Sequence, residues 1–301
     1  MKENGTGRGT PVALADAALL INTVFWGASF VLVKAALRDV SPVAFLALRF
    51  GLATILLAAI FRGPGKARWS WRAAGAGALT GAFLYFGFLL QTAGLRLTSA
   101  PKSAFLTGLT SVMVPLLGAL VYKVRPQASE VVGVLVATAG LGLMTLEGVS
   151  GTIGRGDALT LAGTVAFAAH IVALGHYSGQ MSIEILSVMQ IGTGALLAAA
   201  MFWWAETPRL VWHPVVVWAI LVTGAICTAL AFTVQAWAQQ YTSSTRTALI
   251  YTLEPVFAWI TSFLVTGEGL SGRAGAGAAL ILGGVLLVEL KPLKFRRHPS
   301  H

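Results

Sequence analysis

The chain has 301 residues, of which 56% are hydrophobic and only 11% are charged. Its mean hydropathy of +0.77 lies outside the range of soluble globular domains, which excludes a soluble enzyme or binding module. The formal net charge of +10 is explained by membrane topology, because the basic residues concentrate in alternate loops, and we expect no nucleic-acid partner.

The chain contains ten apolar stretches of the length that a membrane-spanning helix needs, which is about 20 residues. In chain order they are 12–37, 42–62, 73–95, 99–122, 129–147, 156–178, 182–204, 214–239, 243–266 and 273–290. We expect residues 1–11 to form a flexible polar tail and residues 291–301 a basic tail. The connections between the stretches are too short to hold a soluble catalytic domain.

The distribution of basic residues orients these predicted spans. Lysine and arginine are enriched at 62–72, at 123–125 and at 291–297, and all three segments fall on the same side as the N-terminus. The positive-inside rule therefore predicts that both termini are cytoplasmic. We expect these segments to contact anionic membrane lipid.

The two halves of the sequence are related by an internal repeat. A shift of 144 residues places Thr98 on Thr242 and continues without a gap, so that Lys102 falls on Arg246 and Leu109 on Leu253. The same shift aligns Trp26 with His170, Gln91 with Gln235, Gly133 with Gly277 and Gly140 with Gly284. Upstream the shift becomes 141 residues, which places Arg49 on Gln190.

The number of spans in each repeat determines its orientation. Residues 12–147 and 156–290 contain five predicted spans each, and an odd number makes the second repeat enter the membrane from the opposite side. We therefore predict an all-α integral membrane fold of ten helices, built as two inverted five-helix repeats around a central cavity. Inverted repeats with a site near the midplane are typical of secondary transporters that work by alternating access.

Four segments resemble a known family. They are FWGASFVLVKAAL (25–37), FLALRFG (45–51), TSAPKSAFLTGLTSVMVPLLGAL (98–120) and TSSTRTALIYTLEPVFAWITSFLVTGE (242–268). These segments are similar to the drug/metabolite transporter (DMT) superfamily, in its branch of two duplicated five-helix EamA domains, and the resemblance covers nearly the whole chain.

The resemblance implies a fold, a location and a class of substrate. Helices would surround a central cavity, with 129–147 and 273–290 at the periphery. Members export amino acids, purines and other metabolites across the bacterial inner membrane. Because the chain is similar to the aromatic amino-acid exporters of this branch, the implied substrate is an amino acid. The export of another metabolite or drug class by the same fold is the alternative.

Glu254 is the most unusual residue of the ninth span. It lies about halfway across and precedes Pro255, whose missing amide leaves the Tyr251 carbonyl without its helical donor. A broken helix at this depth is tolerated where it lines a cavity. Two interpretations stay open. Glu254 either handles substrate or protons, since burial favours the protonated form of a carboxyl group, or is a structural carboxylate held by hydroxyls or by a nearby cation.

Four cations lie within or at the ends of predicted spans, and we treat them as gate or charge candidates. They are Lys34, Arg49, Lys102 and Arg246. Arg49 and Lys34 are also candidate ion-pair partners of Glu254. Lys102 and Arg246 are repeat counterparts, so inversion places them at opposite mouths of the pathway. The alternative for Arg246 is that its side chain reaches the lipid headgroups.

The remaining polar and amphipathic residues within spans are candidates for the lining of the cavity. Aromatic rings with a polar group can stack on a planar substrate while amides bind its ends. Together with Glu254 these candidates are Trp26, Tyr85, Gln91, His170, Gln190, Gln235, Trp237 and Tyr251. Each has a structural alternative, such as packing for the tryptophans and a bridge between helices for the glutamines.

Other classes of protein fit the sequence less well. An intramembrane enzyme would need a nucleophile with a base or a cluster of metal ligands, and neither pattern is present, so we expect no metal, no cofactor and no enzymatic activity. A Walker motif is absent because Gly65-Lys66 is followed by Ala67. A channel would need a filter-like segment or a repeated ring of charge. The sequence therefore favours a carrier that uses a substrate or proton gradient.

Overall fold

The computed structural model describes residues 10–62, 70–98, 100–123, 126–145, 153–266 and 271–289. Over these residues the chain is helical, apart from connecting turns and one isolated β-bridge between Val40 and Leu210. This confirms the predicted all-α class for the described part of the chain.

The helices follow the predicted stretches. In the first half they are α1 (Thr10–Ala36), α2 (Pro42–Ile60), α3 (Trp71–Leu95), α4 (Ala100–Gly108), α5 (Thr110–Tyr122) and α6 (Ala128–Thr145). In the second half they are α7 (Arg155–Ser178), α8 (Ile183–Met201), α9 (Pro214–Gly224), α10 (Ala231–Ala238), α11 (Ser244–Tyr251), α12 (Glu254–Thr266) and α13 (Gly272–Glu289). A π-helical turn, Ala225–Leu230, joins α9 to α10.

The length and composition of these helices are those of a membrane protein. Seven helical segments of the described chain are long and apolar enough to cross a membrane, and α6 and α13 contain shorter apolar helices. The predicted stretches 99–122 and 243–266 are each interrupted, the first between α4 and α5 and the second between α11 and α12.

The two interruptions fall at equivalent positions of the repeat. Helix α4 gives way to α5 at Leu109, and α11 gives way to α12 at Thr252 and Leu253. Threonine hydroxyls satisfy carbonyl groups beside each break, because Thr110 Oγ1 donates to Thr107 O (2.6 Å) and Thr252 Oγ1 donates to Leu249 O (2.6 Å). Side-chain hydroxyls of this kind make a broken helix tolerable at membrane depth.

The last helices of the two halves, α6 and α13, pack against each other more extensively than any other pair of helices. Gly133 lies against Gly284, and Gly140 lies against Gly277. Because the order of contacts is reversed along α13, the two helices cross in antiparallel directions. Gly133 and Gly140 are the repeat counterparts of Gly277 and Gly284, so each contact is the image of the other.

A second link between the halves lies at the turn between α1 and α2. The segment after α8 runs beside this turn, where Val211 N donates to Asp39 O (2.9 Å) and Ser41 N donates to Arg209 O (2.9 Å). Glu206 Oε1 accepts hydrogen bonds from the backbone of Val43 (2.9 Å) and Ala44 (3.1 Å). The second half therefore satisfies the free amides at the start of α2.

We predict that the α6–α13 crossing depends on its glycines. A Cβ atom at position 284 would lie 2.6 Å from Gly133 O, whereas nothing lies within 4 Å of one at position 283. Gly284→Ala should therefore lower the free energy of unfolding by about 1–3 kcal/mol, and Gly283→Ala should not. Thermal unfolding in lipid nanodiscs measures both, and equal behaviour of the two variants would contradict this packing.

Candidate functional site

A cavity of about 120 Å³ lies between the two halves of the chain. One water molecule needs about 10–15 Å³ on the same measure, so the cavity has room for a small metabolite. Its wall contains aromatic rings, amides, hydroxyl groups and the His170 imidazole, together with one basic group, the Arg49 guanidinium, and one acidic group, the Glu254 carboxyl.

Repeat-related positions of the two halves line this cavity in pairs. The pairs include Phe88 and Phe232, Gln91 and Gln235, Thr107 and Tyr251, and Thr110 and Glu254. In each pair the two residues are separated by the 144-residue shift of the repeat. Both halves therefore contribute the same positions to one shared site.

The two helix breaks also lie at the cavity. Its wall includes Gly108 at the end of α4, Thr110 at the start of α5, Tyr251 at the end of α11 and Glu254 at the start of α12. At each break the backbone stays near the α-helical region, with φ −63° and ψ −7° at Leu109 and φ −66° and ψ −11° at Thr252. Each break is therefore a local kink in a helix.

Aromatic contacts place Trp26 in the wall. Its ring centroid lies 4.8 Å from that of Tyr251 and 5.2 Å from that of Phe232. Its Nε1 donates to the backbone carbonyl of Cys227 (2.8 Å), which lies in the π-helical turn. The polar edge of the indole is thus satisfied by backbone, and the ring remains an apolar surface of the cavity.

His170 is the repeat counterpart of Trp26 and is almost fully buried, with 1% of its surface exposed. Its Nε2 lies 3.0 Å from Gln190 Oε1, and Gln190 Nε2 donates to Phe232 O (3.5 Å). Because the 141-residue shift places Arg49 on Gln190, the second half has an amide where the first half has a guanidinium.

Glu254 is partly buried at the first residue of α12. Helix α1 approaches the break closely, and a Cβ atom at Gly27 would lie 2.6 Å from Glu254 O. Arg49 and Glu254 act on each other electrostatically, but within the described ranges Glu254 forms no ion pair with Arg49 or Lys34. Lys34 is exposed near the end of α1.

The structure brings most of the predicted cavity residues together. Trp26, Gln91, His170, Gln235, Tyr251 and Glu254 line the cavity, and so does the charge candidate Arg49.

Three predicted cavity residues lie elsewhere. Tyr85 is fully buried against Phe50, and its hydroxyl lies 3.4 Å from Met201 Sδ. Trp237 packs beside Tyr241, with ring centroids 5.5 Å apart. Gln190 lies behind His170 and holds its ring. Tyr85 and Trp237 lie outside the cavity because each ring packs against an aromatic neighbour elsewhere.

The remaining gate candidates differ in their surroundings. Arg246 forms a buried ion pair with Asp16 of α1, with Nη2 2.6 Å from Oδ2 and each side chain 10% exposed. The side chain of Lys102 lies outside the described residues. Asp16 was missed by the sequence analysis, although an acidic residue in the first predicted span was a signal for it. Phe88 and Phe232 were also missed, although they are identical residues at equivalent repeat positions.

The described residues contain no group of three histidine, cysteine, aspartate or glutamate side chains that could hold a metal ion. The site presents hydrogen-bonding groups, aromatic rings, the Arg49 guanidinium and the Glu254 carboxyl around one cavity.

The fold and the cavity define a polytopic helical membrane protein with an internal polar site between two repeats. The EamA-like transporter family matches residues 13–146 and again residues 154–290. The chain belongs to the EamA-like transporter family, which is part of the DMT superfamily.

Similar proteins agree with this assignment. An uncharacterized transporter of Archaeoglobus fulgidus is 32% identical over 291 residues, covering 97% of this chain and 91% of its own length. The uncharacterized transporter YyaM of Bacillus subtilis is 28% identical over 280 residues, covering 89% and 91%. A crystal structure that is 20% identical has the same fold, with a TM-score of 0.76, and covers 94% of this chain and 98% of its own.

We predict that His170 and Gln190 are energetically coupled. Gln190→Leu removes the partner of a buried imidazole N–H and should lower the free energy of unfolding by about 1–3 kcal/mol. His170→Phe removes the other partner, so the double variant should lose less stability than the sum of the single variants. Thermal unfolding of the four proteins gives the coupling energy, and strictly additive losses would contradict this interaction.

Proposed function

We propose that the chain is a secondary transporter that exports amino acids or related small metabolites across the cytoplasmic membrane, the inner membrane of a bacterial cell. Its two halves form inverted five-helix repeats with ten membrane crossings and cytoplasmic termini. Transport proceeds by alternating access, in which the shared cavity opens first to one side and then to the other.

The antiparallel crossing of α6 and α13 supports the inverted arrangement. Two equivalent helices of a repeat run in opposite directions when the repeats are related by an axis in the plane of the membrane. The reciprocal contacts of Gly133 with Gly284 and of Gly140 with Gly277 are those expected on such an axis.

The observation that carries the proposal is the shared cavity, lined in pairs by repeat-related positions and bordered by two helix kinks at equivalent positions. If the halves exchange conformations, the same wall residues serve both the inward-open and the outward-open states. Such a site, placed between inverted repeats at broken helices, is the arrangement of secondary transporters.

The composition of the wall supports a small substrate with polar ends and an apolar body. Phe88, Phe232 and Trp26 provide ring surfaces, and Gln91 and Gln235 provide amide groups. A carboxyl group at Glu254 can bind a cationic group of the substrate or exchange a proton. A proton is the coupling ion we propose if Glu254 serves the second role, whereas in the first role the gradient of the substrate itself drives transport.

The Asp16–Arg246 ion pair is proposed as the cytoplasmic gate of the pathway. Both residues lie near the beginnings of their helices, on the side assigned to the termini. Wall residues on that side, Gln235 and Ala248, are 0% and 1% exposed, whereas Ser29 and Val33 toward the other side are partly exposed. Opening toward the cytoplasm requires this pair to separate.

Counterflow in proteoliposomes tests the function. Vesicles that contain the purified protein and an unlabelled amino acid should accumulate the labelled amino acid with saturation and trans-stimulation, whereas an enzyme or a scaffold protein would show neither. Repeating the measurement with purines and organic cations decides between amino acids and another class of metabolite or drug.

We predict that Glu254→Gln impairs transport by about tenfold or more, because a hydrogen bond to a charged group contributes about 1.5–3 kcal/mol and the variant loses the charge that would bind the substrate or carry the proton. Membrane insertion and thermal stability should stay near wild type. Glu130→Gln, at the start of α6 and outside the cavity, is the matched control. Parallel loss of folded protein and of transport would show that Glu254 is structural.

Lys102→Ala and Arg246→Ala should perturb opposite openings. The reporter is Ser29→Cys at the cavity wall in a Cys227→Ala background, labelled by a membrane-impermeant thiol reagent from either side. Arg246→Ala and Asp16→Asn should increase labelling from the cytoplasm, because each breaks the ion pair, and Lys102→Ala should increase it from the outside. The same change in labelling in all three variants would refute the assignment of gates. Arg273→Ala, at an exposed arginine, is the control.

A further inference from the structure

The Arg49 side chain is held rigidly at the cavity wall. Although Arg49 lies in the apolar helix α2, only 5% of its surface is exposed. Its Nε donates to Thr228 Oγ1 (2.6 Å), and its Nη2 donates to Cys227 O (3.4 Å). Its Cζ lies 4.4 Å from the centroid of the Phe88 ring, within the range of a cation–π interaction.

Both hydrogen-bonding partners of Arg49 belong to the π-helical turn Ala225–Leu230. Such turns occur inside longer helices, frequently at functional sites. Here the Cys227 carbonyl receives two side-chain donors, Trp26 Nε1 and Arg49 Nη2. The turn therefore orients one ring and one cation of the wall at the same time.

The remaining N–H groups of Arg49 are available to a ligand. A guanidinium has five N–H donors, and within the described part of the chain those of Arg49 are used by Thr228 and Cys227 alone. A buried cation is costly without an opposite charge, and Glu254 is too distant to form an ion pair with it. The guanidinium thus has N–H donors that are not used by the protein, and its hydrogen bonds to Thr228 and Cys227 hold it in place.

The two charges come from different halves of the repeat. The counterpart of Arg49 is Gln190, and the counterpart of Glu254 is Thr110, so both counterparts are neutral. Among the described residues of the cavity wall, the first half therefore contributes an arginine and the second half a glutamate. A ligand that carries both charges can satisfy the two groups together.

We propose that Arg49, positioned by Thr228 and the Cys227 carbonyl of the π-helical turn, binds the carboxylate of a zwitterionic substrate whose ammonium group is bound at Glu254. This inference rests on the proposed transport function and deepens it. Guanidinium and carboxylate groups match in geometry and form charge-assisted hydrogen bonds. Phe88, Phe232 and Trp26 then contact an aromatic or other apolar side chain of the substrate.

Three probes that differ in one charged group each test this assignment. They are phenylalanine, phenethylamine, which lacks the carboxylate, and 3-phenylpropionate, which lacks the ammonium group. Affinity is measured by the ligand-dependent thermal stabilisation of the purified protein in nanodiscs, so that binding is detected even in a variant that does not transport. Wild type should bind phenylalanine about tenfold or more tightly than either analogue.

Removal of a charged group from the protein should abolish the loss of affinity that follows removal of its partner group from the ligand. In Arg49→Gln, phenylalanine and phenethylamine should bind with similar affinity, while the preference over 3-phenylpropionate remains. In Glu254→Gln, phenylalanine and 3-phenylpropionate should bind with similar affinity, while the preference over phenethylamine remains. That variant loses the partner of the ammonium group. This cross between two variants and two analogues separates charge recognition from a general loss of folded protein.

Thr228 is a positioning residue in this proposal. A substitution at Thr228 tests the proposal while the Arg49 guanidinium stays in the protein. Thr228→Val should weaken phenylalanine binding several-fold without changing the affinity for phenethylamine, and Thr228→Ser should restore binding because it keeps the hydroxyl. Thr223→Val is the matched control, since Thr223 is equally buried and its hydroxyl donates to Ala219 O of its own helix.

The outcomes separate this inference from the proposed function. If wild type discriminates among the probes but Arg49→Gln and Thr228→Val keep the full preference for the carboxylate, the assignment of Arg49 is wrong and amino-acid transport stands. If none of the three probes stabilises wild type, the zwitterion site is wrong, and the counterflow measurement decides separately whether amino-acid transport stands.

Discussion

The structure depends on the cost of keeping charged groups inside a membrane. Moving an ion out of water costs several kcal/mol even after relaxation, and ionisable groups within membrane-spanning segments usually face partners or a water-filled cavity. Here Arg49 and Glu254 line one cavity, and Asp16 and Arg246 pair beside it. The helices and glycine contacts around the cavity hold these four groups in a chain that is otherwise mostly apolar.

Because the chain is duplicated, equivalent positions of both halves surround the cavity. Because side chains at some of these positions have diverged, the two halves contribute different charges to it. Paired positions such as Phe88 and Phe232 preserve the same side chain, whereas Thr110 and Glu254 have become different. The two halves therefore share some wall positions while the charges at other positions differ. A substrate with two oppositely charged ends would therefore bind in one orientation, although the two halves of the protein are related by duplication.

Long apolar stretches made the helices predictable, since lipid requires about 20 such residues per crossing, and α2 begins at the predicted Pro42. Pro255 predicted the break in the second half. The equivalent break at Leu109 has no proline beside it, because Pro115 lies inside α5, and was not predicted. Gln91 and Gln235 mark the sides of α3 and α10 that meet the cavity. At about 100° per residue, Tyr85 lies roughly 120° around α3 from Gln91 and Trp237 roughly 200° around α10 from Gln235, so both rings were placed on the wrong side. The π-helical turn lacks a sequence signature.

The central claim is that the two halves face opposite sides of the membrane around this shared cavity. Leu97, after α3, and Tyr241, after α10, are repeat counterparts and are 64% and 40% exposed. Single cysteines at these positions, in a Cys227→Ala background, can be labelled in intact cells and in inverted vesicles with a membrane-impermeant thiol reagent. The account predicts labelling of Leu97→Cys only from outside and of Tyr241→Cys only from the cytoplasm. Labelling of both from the same side would contradict it.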